Sequence, residues 1–158
     1  MTAAVQPIGE KPDSVYLHAG ELFASATACT IATIVGSCVA VCLFDEKRRI
    51  GGANHYLLSE SFVTGRTSPR FGNVAVPELI LRVIALGSRK GDLCAKIFGG
   101  ASTTAAGGSG TLGSKNVQIA RRILSAERIP IVAEDVGGDR GRKIIFHTAE
   151  GHVWVRKL

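Results

Sequence analysis

A cysteine and a histidine stand seventeen positions apart in GSCVAVCLFDEKRRIGGANHYLL, residues 36–58, and their types suit each other. A thiol beside an imidazole is a nucleophile beside a base: an imidazolium lowers the thiol pKa, and the resulting thiolate attacks carbonyl carbon. Cys38 follows Gly36-Ser37, a pair that marks a sharp turn where a side chain can be presented to solvent. Two apolar runs flank the charged tetrapeptide 45–48, which is the pattern of a hairpin. A two-residue loop at 46–47, or a four-residue loop at 45–48, sets Phe44 opposite Arg49 and Cys38 opposite His55, with Cβ atoms roughly 4.5–5.5 Å apart. A three-residue loop, or a bulge at Gly51-Gly52, slips that register and turns one side chain to the other face.

The remaining candidates carry less chemistry. Cys29, Cys42 and Cys94 have no such partner and read as core. Along a strand Cys38 and Cys42 sit about 13 Å apart, too far for a disulfide or a shared zinc ion, and there is no C-x-x-C. Neither a metal nor a cofactor is expected. His18, His147 and His152 lie in strand-like segments beside apolar residues and read as structural or surface positions, and Asp135 and Asp139 flank the Gly137-Gly138 turn. GSGTLGSK, residues 108–115, approaches a phosphate-binding loop but fails on mechanics. Lys115 comes one residue late, and Asn116 stands where the following hydroxyl belongs. The stretch 99–113 reads instead as a flexible surface loop leading to a helix N-terminus, with backbone amides able to hold a substrate carbonyl.

These residues need a scaffold, and 158 residues suffice for one domain with a core of its own. Residues 1–13 read as a loose, flexible tail and 14–158 as the domain. Val15–His18 and Cys29–Val35 are strand-length runs; 38–44 and 49–58 form the hairpin, with 38–44 apolar on both faces, as suits a central strand covered twice. Segment 59–72 is a polar loop. A helical stripe (Leu79, Ile80, Val83, Ile84, Leu86) follows, with Asn73 as cap and Pro77 in the first turn. CAKIF is a strand; Ser114 caps a second helix with Val117, Ala120, Ile123 and Leu124 inward; IPIVAED, RKIIFHT and HVWVRKL are strands. The expected fold class is α/β: a single-domain α/β sandwich with a mixed, largely antiparallel sheet and two main helices. The net charge of +6 comes from dispersed groups without interleaved aromatics, which argues against nucleic acid and leaves attraction to an acidic protein surface. No apolar stretch is long enough to span a bilayer, so no membrane insertion is expected, and the N-terminus lacks the pattern of a signal peptide; a cytoplasmic location follows.

Four stretches together, TIVGSCVAVCLFDEKRRIGGANHYLL, AKIFGGAS, LGSKNVQIARRIL and IVAEDVGGDRGRKIIFHTAEGHVWVRKL, resemble the chemoreceptor glutamine deamidase family, CheD, in order from about Tyr16 to Leu158. The resemblance implies a protein-glutamine glutaminase that converts selected glutamines on the cytoplasmic helices of chemoreceptors to glutamate during chemotaxis adaptation. It implies Cys38 as nucleophile through a thioester, His55 as acid and base, and backbone amides near Gly36 and Ser37 holding the substrate carbonyl. The third family residue, a threonine six positions before the cysteine, corresponds to Ala32, with Thr33 next to it. Thr33 is the candidate for that role, although strand alternation turns it to the face opposite residue 32. The resemblance also implies a CheC-type phosphatase as partner, and an adaptor of such a phosphatase is the rival reading. Recruitment to membrane chemoreceptor arrays would follow from the substrate.

Overall fold

A computed structural model of the chain describes residues 13–61, 68–102 and 111–158. The loose tail expected over residues 1–13 lies outside them except for Asp13, as do residues 62–67 and 103–110 of the two expected loops. In chain order the elements are β1 (Ser14–Tyr16), β2 (Leu22–Ser25), β3 (Thr30–Val35), β4 (Val39–Asp45), β5 (Ile50–Asn54), α1 (Gly72–Ala85), β6 (Cys94–Gly99), α2 (Leu112–Ala126), β7 (Ile131–Val136), β8 (Arg142–His147) and β9 (Val153–Lys157).

The strands divide between two sheets, a four-stranded one ordered β1-β3-β8-β9 and a five-stranded one ordered β2-β5-β4-β6-β7. Each contains one parallel pair, β1 with β3 and β6 with β7; the other pairings are antiparallel. The fold is therefore the expected single α/β domain with two main helices, its strands shared between two mixed sheets. β4 explains the layering. All seven of its residues are buried, and a strand with apolar side chains on both faces needs a cover on each. Val39, Val41 and Leu43 pack with Val76, Leu79, Val83, Ala120 and Leu124 of the helices. Ala40, Cys42 and Phe44 pack with Ile31, Val35, Ile144 and Phe146 of the second sheet. The hairpin thus lies between two cores.

The hairpin register differs from expectation by two residues. The turn occupies 46–49, with Arg49 at a positive φ of 58°, and Asp45 pairs with Ile50 and Phe44 with Gly51. The cause is Asp45, which is fully buried: its carboxylate accepts from the Arg48 N–H at 3.2 Å, from the Arg48 guanidinium at 2.9 Å and from the Ser88 hydroxyl at 2.7 Å. That carboxylate closes the turn locally, so Asp45 belongs to the strand rather than the loop. Because the slip is an even number of residues, every side chain keeps its face.

Both helix starts also move. Phe71 precedes α1 without a side-chain cap, so Asn73 falls inside the helix, and Pro77 lies in the second turn rather than the first. α2 is capped by Thr111, whose hydroxyl accepts from the Ser114 N–H at 3.1 Å, not by Ser114. β2 has no signal of its own in the sequence: its residues Leu22–Ser25 form a strand because β5 offers them an unpaired edge.

Removing the Asp45 carboxylate strips acceptors from a buried hydroxyl and a guanidinium at once. Asp45→Ala should lower the unfolding free energy by about 2–3 kcal/mol in urea titration, somewhat under the cost of halving a fully buried pair because Arg48 keeps 30% of its side chain exposed. Burial pushes the Asp45 pKa up, but the Ser88 hydroxyl and Arg48 outweigh it and hold the carboxyl below its ordinary range. With the folded pKa depressed, the advantage of wild type over the variant should be complete above about pH 4 and shrink as pH falls through the folded value.

Candidate active site

Cys38 ends a bend, residues 36–38, between β3 and β4, and its side chain is half-buried against the core between the sheets. The bend is held by its carbonyls. Gly36 O accepts from the Ala101 N–H at 2.9 Å, Ser37 O from the Asn116 side-chain amide at 2.9 Å, and Cys38 O from the Gly100 N–H at 2.9 Å. The amide N–H groups of Gly36, Ser37 and Cys38 bond no other described residue, that of Cys38 touching only its own sulfur. The turn that holds Cys38 O tolerates only glycine: Gly99 and Gly100 adopt φ of +110° and +67°, and a Cβ on Gly99 would collide with Cys38 O. Arg142, 2% exposed, braces this turn by donating to Gly99 O at 3.3 Å and Gly137 O at 2.7 Å while pairing with Asp135 at 2.9 Å.

His55 follows β5 and is fixed by its own backbone, accepting from the Gly20 N–H at 2.7 Å and donating to Glu21 O at 3.0 Å. Val39 pairs with Tyr56, so His55 stands diagonal to Cys38 on one face rather than directly opposite it. Diagonal neighbours are roughly 7–8 Å apart in a regular sheet. The register reading of a direct Cys38–His55 pair is corrected to this diagonal by the Asp45 turn.

The imidazole is oriented from the other sheet. Its Nδ1 lies 2.7 Å from Thr33 Oγ1, and that hydroxyl lies 2.8 Å from Leu17 O. A carbonyl accepts only, so the single hydroxyl proton of Thr33 goes to Leu17 and the imidazole must supply the proton on Nδ1. Nε2 then carries the lone pair. It is buried and has no hydrogen-bond partner among the described residues. Burial, with a smaller contribution from His18, lowers the His55 pKa to about 4, and burial also raises the Cys38 thiol, partly offset by the cysteine's own N–H. Both shifts favour a neutral thiol and a neutral imidazole over the expected imidazolium–thiolate pair, and the physical cause is desolvation between the sheets.

Thr33, fully buried, shares its face of β3 with Ile31 and Val35, toward the five-stranded sheet, while Ala32 and Ile34 face outward. The face opposite residue 32 is thus the inward face, and it is this face that brings Thr33 to His55. The structure joins Thr33 to His55 by a hydrogen bond and sets Cys38, at the end of the Gly36-Ser37-Cys38 bend, diagonal to His55. Sequence reasoning missed Asn116, Tyr56 and Arg142. Asn116 showed only as the residue that spoils a phosphate loop. No cluster of three or more metal-ligating side chains occurs among the described residues.

Residues 57–157 match the family model described as CheD chemotactic sensory transduction. The chain is 50% identical over 157 residues to "Probable chemoreceptor glutamine deamidase CheD 1" of Anaeromyxobacter dehalogenans, covering 99% of this chain and 91% of that one. The chain belongs to the CheD family. It is also 46% identical to the CheD protein of Sulfurimonas denitrificans, over 89% of this chain and 92% of that one. Identity to the CheD protein of Trichlorobacter lovleyi is 40%, over 87% and 86%. A solved Neisseria meningitidis chain aligns with a TM-score of 0.36 at 14% identity, covering 71% of this chain and 52% of that one, a likeness too loose to support anything further. For this CheD chain the family spacing points to Ala32, whereas the hydroxyl on the imidazole is that of Thr33.

The protonation states make a measurable difference. Iodoacetamide should alkylate Cys38 faster than the buried Cys29 and Cys42, with a rate that climbs through about pH 7–9 as a raised thiol ionises. A rate already level below neutral pH would mean a preformed ion pair.

Proposed function

We propose that this chain is a protein-glutamine deamidase that hydrolyses selected glutamine side chains on the cytoplasmic helices of chemoreceptors, with Cys38 as nucleophile, His55 as acid and base, and Thr33 orienting the imidazole. The observation that carries the reading is the imidazole held by Thr33 with a bare, buried Nε2 on the sheet face that Cys38 shares. His55 Nε2 takes the Sγ proton as sulfur adds to the carboxamide carbon and the C=O electrons move to oxygen. Unused amide N–H groups of the 36–38 bend serve that oxyanion. Collapse passes the Nε2 proton to nitrogen, the C–N bond breaks, and ammonia leaves a thioester. Water then loses a proton to Nε2 and adds to the thioester carbonyl. The C–S bond breaks, the sulfur recovers its proton, and glutamate is the product.

The half-open thiol beside a base-form imidazole favours the hydrolase over an adaptor of a CheC-type phosphatase, although both uses of the surface are compatible. No helix among the described residues is long and apolar enough to cross a membrane. Acting on chemoreceptors would place the chain in the cytoplasm at receptor arrays, and its +6 net charge supports docking on acidic receptor helices.

The decisive experiment incubates the chain with a receptor cytoplasmic fragment and follows amide-to-acid mass gain at individual glutamines. Wild type should convert a defined subset and Cys38→Ala none; conversion by the variant would remove Cys38 from the mechanism. Thr33→Val should lower kcat roughly 10- to 100-fold with little change in KM, the scale of losing a group that orients a reacting one. Ala32→Thr should change nothing, since residue 32 faces away from His55. Because His55 is a base above a pKa of about 4, kcat/KM should not fall between neutral pH and about 5, and should drop as pH approaches 4 and Nε2 is protonated. An acid limb centred near 6.5 would contradict the buried, neutral imidazole.

A further inference from the structure

We propose that Asn116 is a positioning residue for this deamidation: by gripping the Ser37 carbonyl it aims the Cys38 N–H at the oxyanion. The inference rests on the hydrolase reading above and deepens it. The Asn116 amide nitrogen donates to Ser37 O at 2.9 Å and to Leu57 O at 2.8 Å, and two acceptor partners fix which end of the amide is nitrogen. In a planar trans peptide the carbonyl and the following N–H point in opposite directions, so holding Ser37 O sets the direction of the Cys38 N–H. That N–H bonds no other described residue, its one contact being the Cys38 sulfur itself, so a substrate oxygen can take it as the sulfur adds to the carbonyl. Leu57 flanks Tyr56, the partner of Val39, so one side chain ties both strands together beside the nucleophile.

Asn116 is itself held. Its carbonyl accepts from the hydroxyl of Tyr56, the residue after His55, at 2.5 Å, and its helix starts against the Cys38-binding turn, where Gly113 packs on the carbonyls of Gly100 and Ala101. Its own side-chain oxygen, by contrast, is buried with no partner among the described residues. An unsatisfied buried acceptor costs about 1–3 kcal/mol.

The test compares wild type, Asn116→Ala and Asn116→Asp on the receptor fragment, alongside iodoacetamide alkylation of Cys38 in the same proteins. Alkylation displaces iodide from a saturated carbon and creates no oxyanion, so it reports the thiol alone. Expected are a 10- to 100-fold fall in kcat, KM within about threefold, and an alkylation rate within about threefold of wild type. A kcat within threefold in both variants overturns the proposal. So does a parallel loss of kcat and alkylation, which would mean that the thiol itself had moved, or failure of both variants to fold where wild type is folded, which would make Asn116 a structural strut. A wild type that leaves every receptor glutamine untouched defeats the hydrolase reading and this inference with it. An active wild type matched by its Asn116 variants defeats the inference alone.

Discussion

Strand β4 has apolar side chains on both faces, and the molecule is arranged around the need to cover it twice. Helices cover one face and the four-stranded sheet the other. The second cover is what makes a site possible. It brings β3 over the start of β4, so Thr33 reaches an imidazole from a different sheet. It also dries the space between the sheets, and that drying, more than any charged neighbour, keeps His55 neutral and the Cys38 thiol protonated. Packing and chemistry share one cause.

How much of this was legible depended on whether the determinant was local. The apolar faces of 38–44, the two helical stripes and the closing strands follow from period and composition. The pairing of a thiol with an imidazole was visible from their spacing around a charged turn. The register was not, because it turned on whether Asp45 would be solvated in the loop or buried in the strand, and that was decided by Ser88, forty-three residues away. The two-residue slip left faces intact, so the inferred neighbourhood survived while the inferred direct pairing did not. Thr33 illustrates the same limit. Alternation correctly put it opposite residue 32, but nothing in the sequence said which of the two faces looked inward; that depended on β8 pairing with β3 and on the second sheet closing over β4.

Asn116 and Arg142 were illegible for another reason. Both are buried polar residues whose partners are largely main-chain carbonyls, which every residue carries, with Asp135 the one side-chain partner of Arg142. No residue-type pattern announces that a bend eighty residues upstream needs a donor. Only the carbonyls of the 36–38 bend, satisfied one after another by Ala101, Asn116 and Gly100, show what those side chains are near.

The electrostatics explain why that bend must be held so firmly. With the imidazole pKa lowered to about 4 and the Cys38 thiol raised, both by burial, the ion pair is disfavoured before substrate arrives. Proton transfer becomes favourable only as the carbon–sulfur bond forms, when negative charge passes to the substrate oxygen. The free energy absent from the base must then come from donors already aimed at that oxygen. A site with a preformed thiolate could tolerate loosely placed donors. The backbone here is pinned in keeping with that demand: the carbonyls of the 36–38 bend are captured by Ala101, Asn116 and Gly100, and a glycine turn presses against the Cys38 carbonyl.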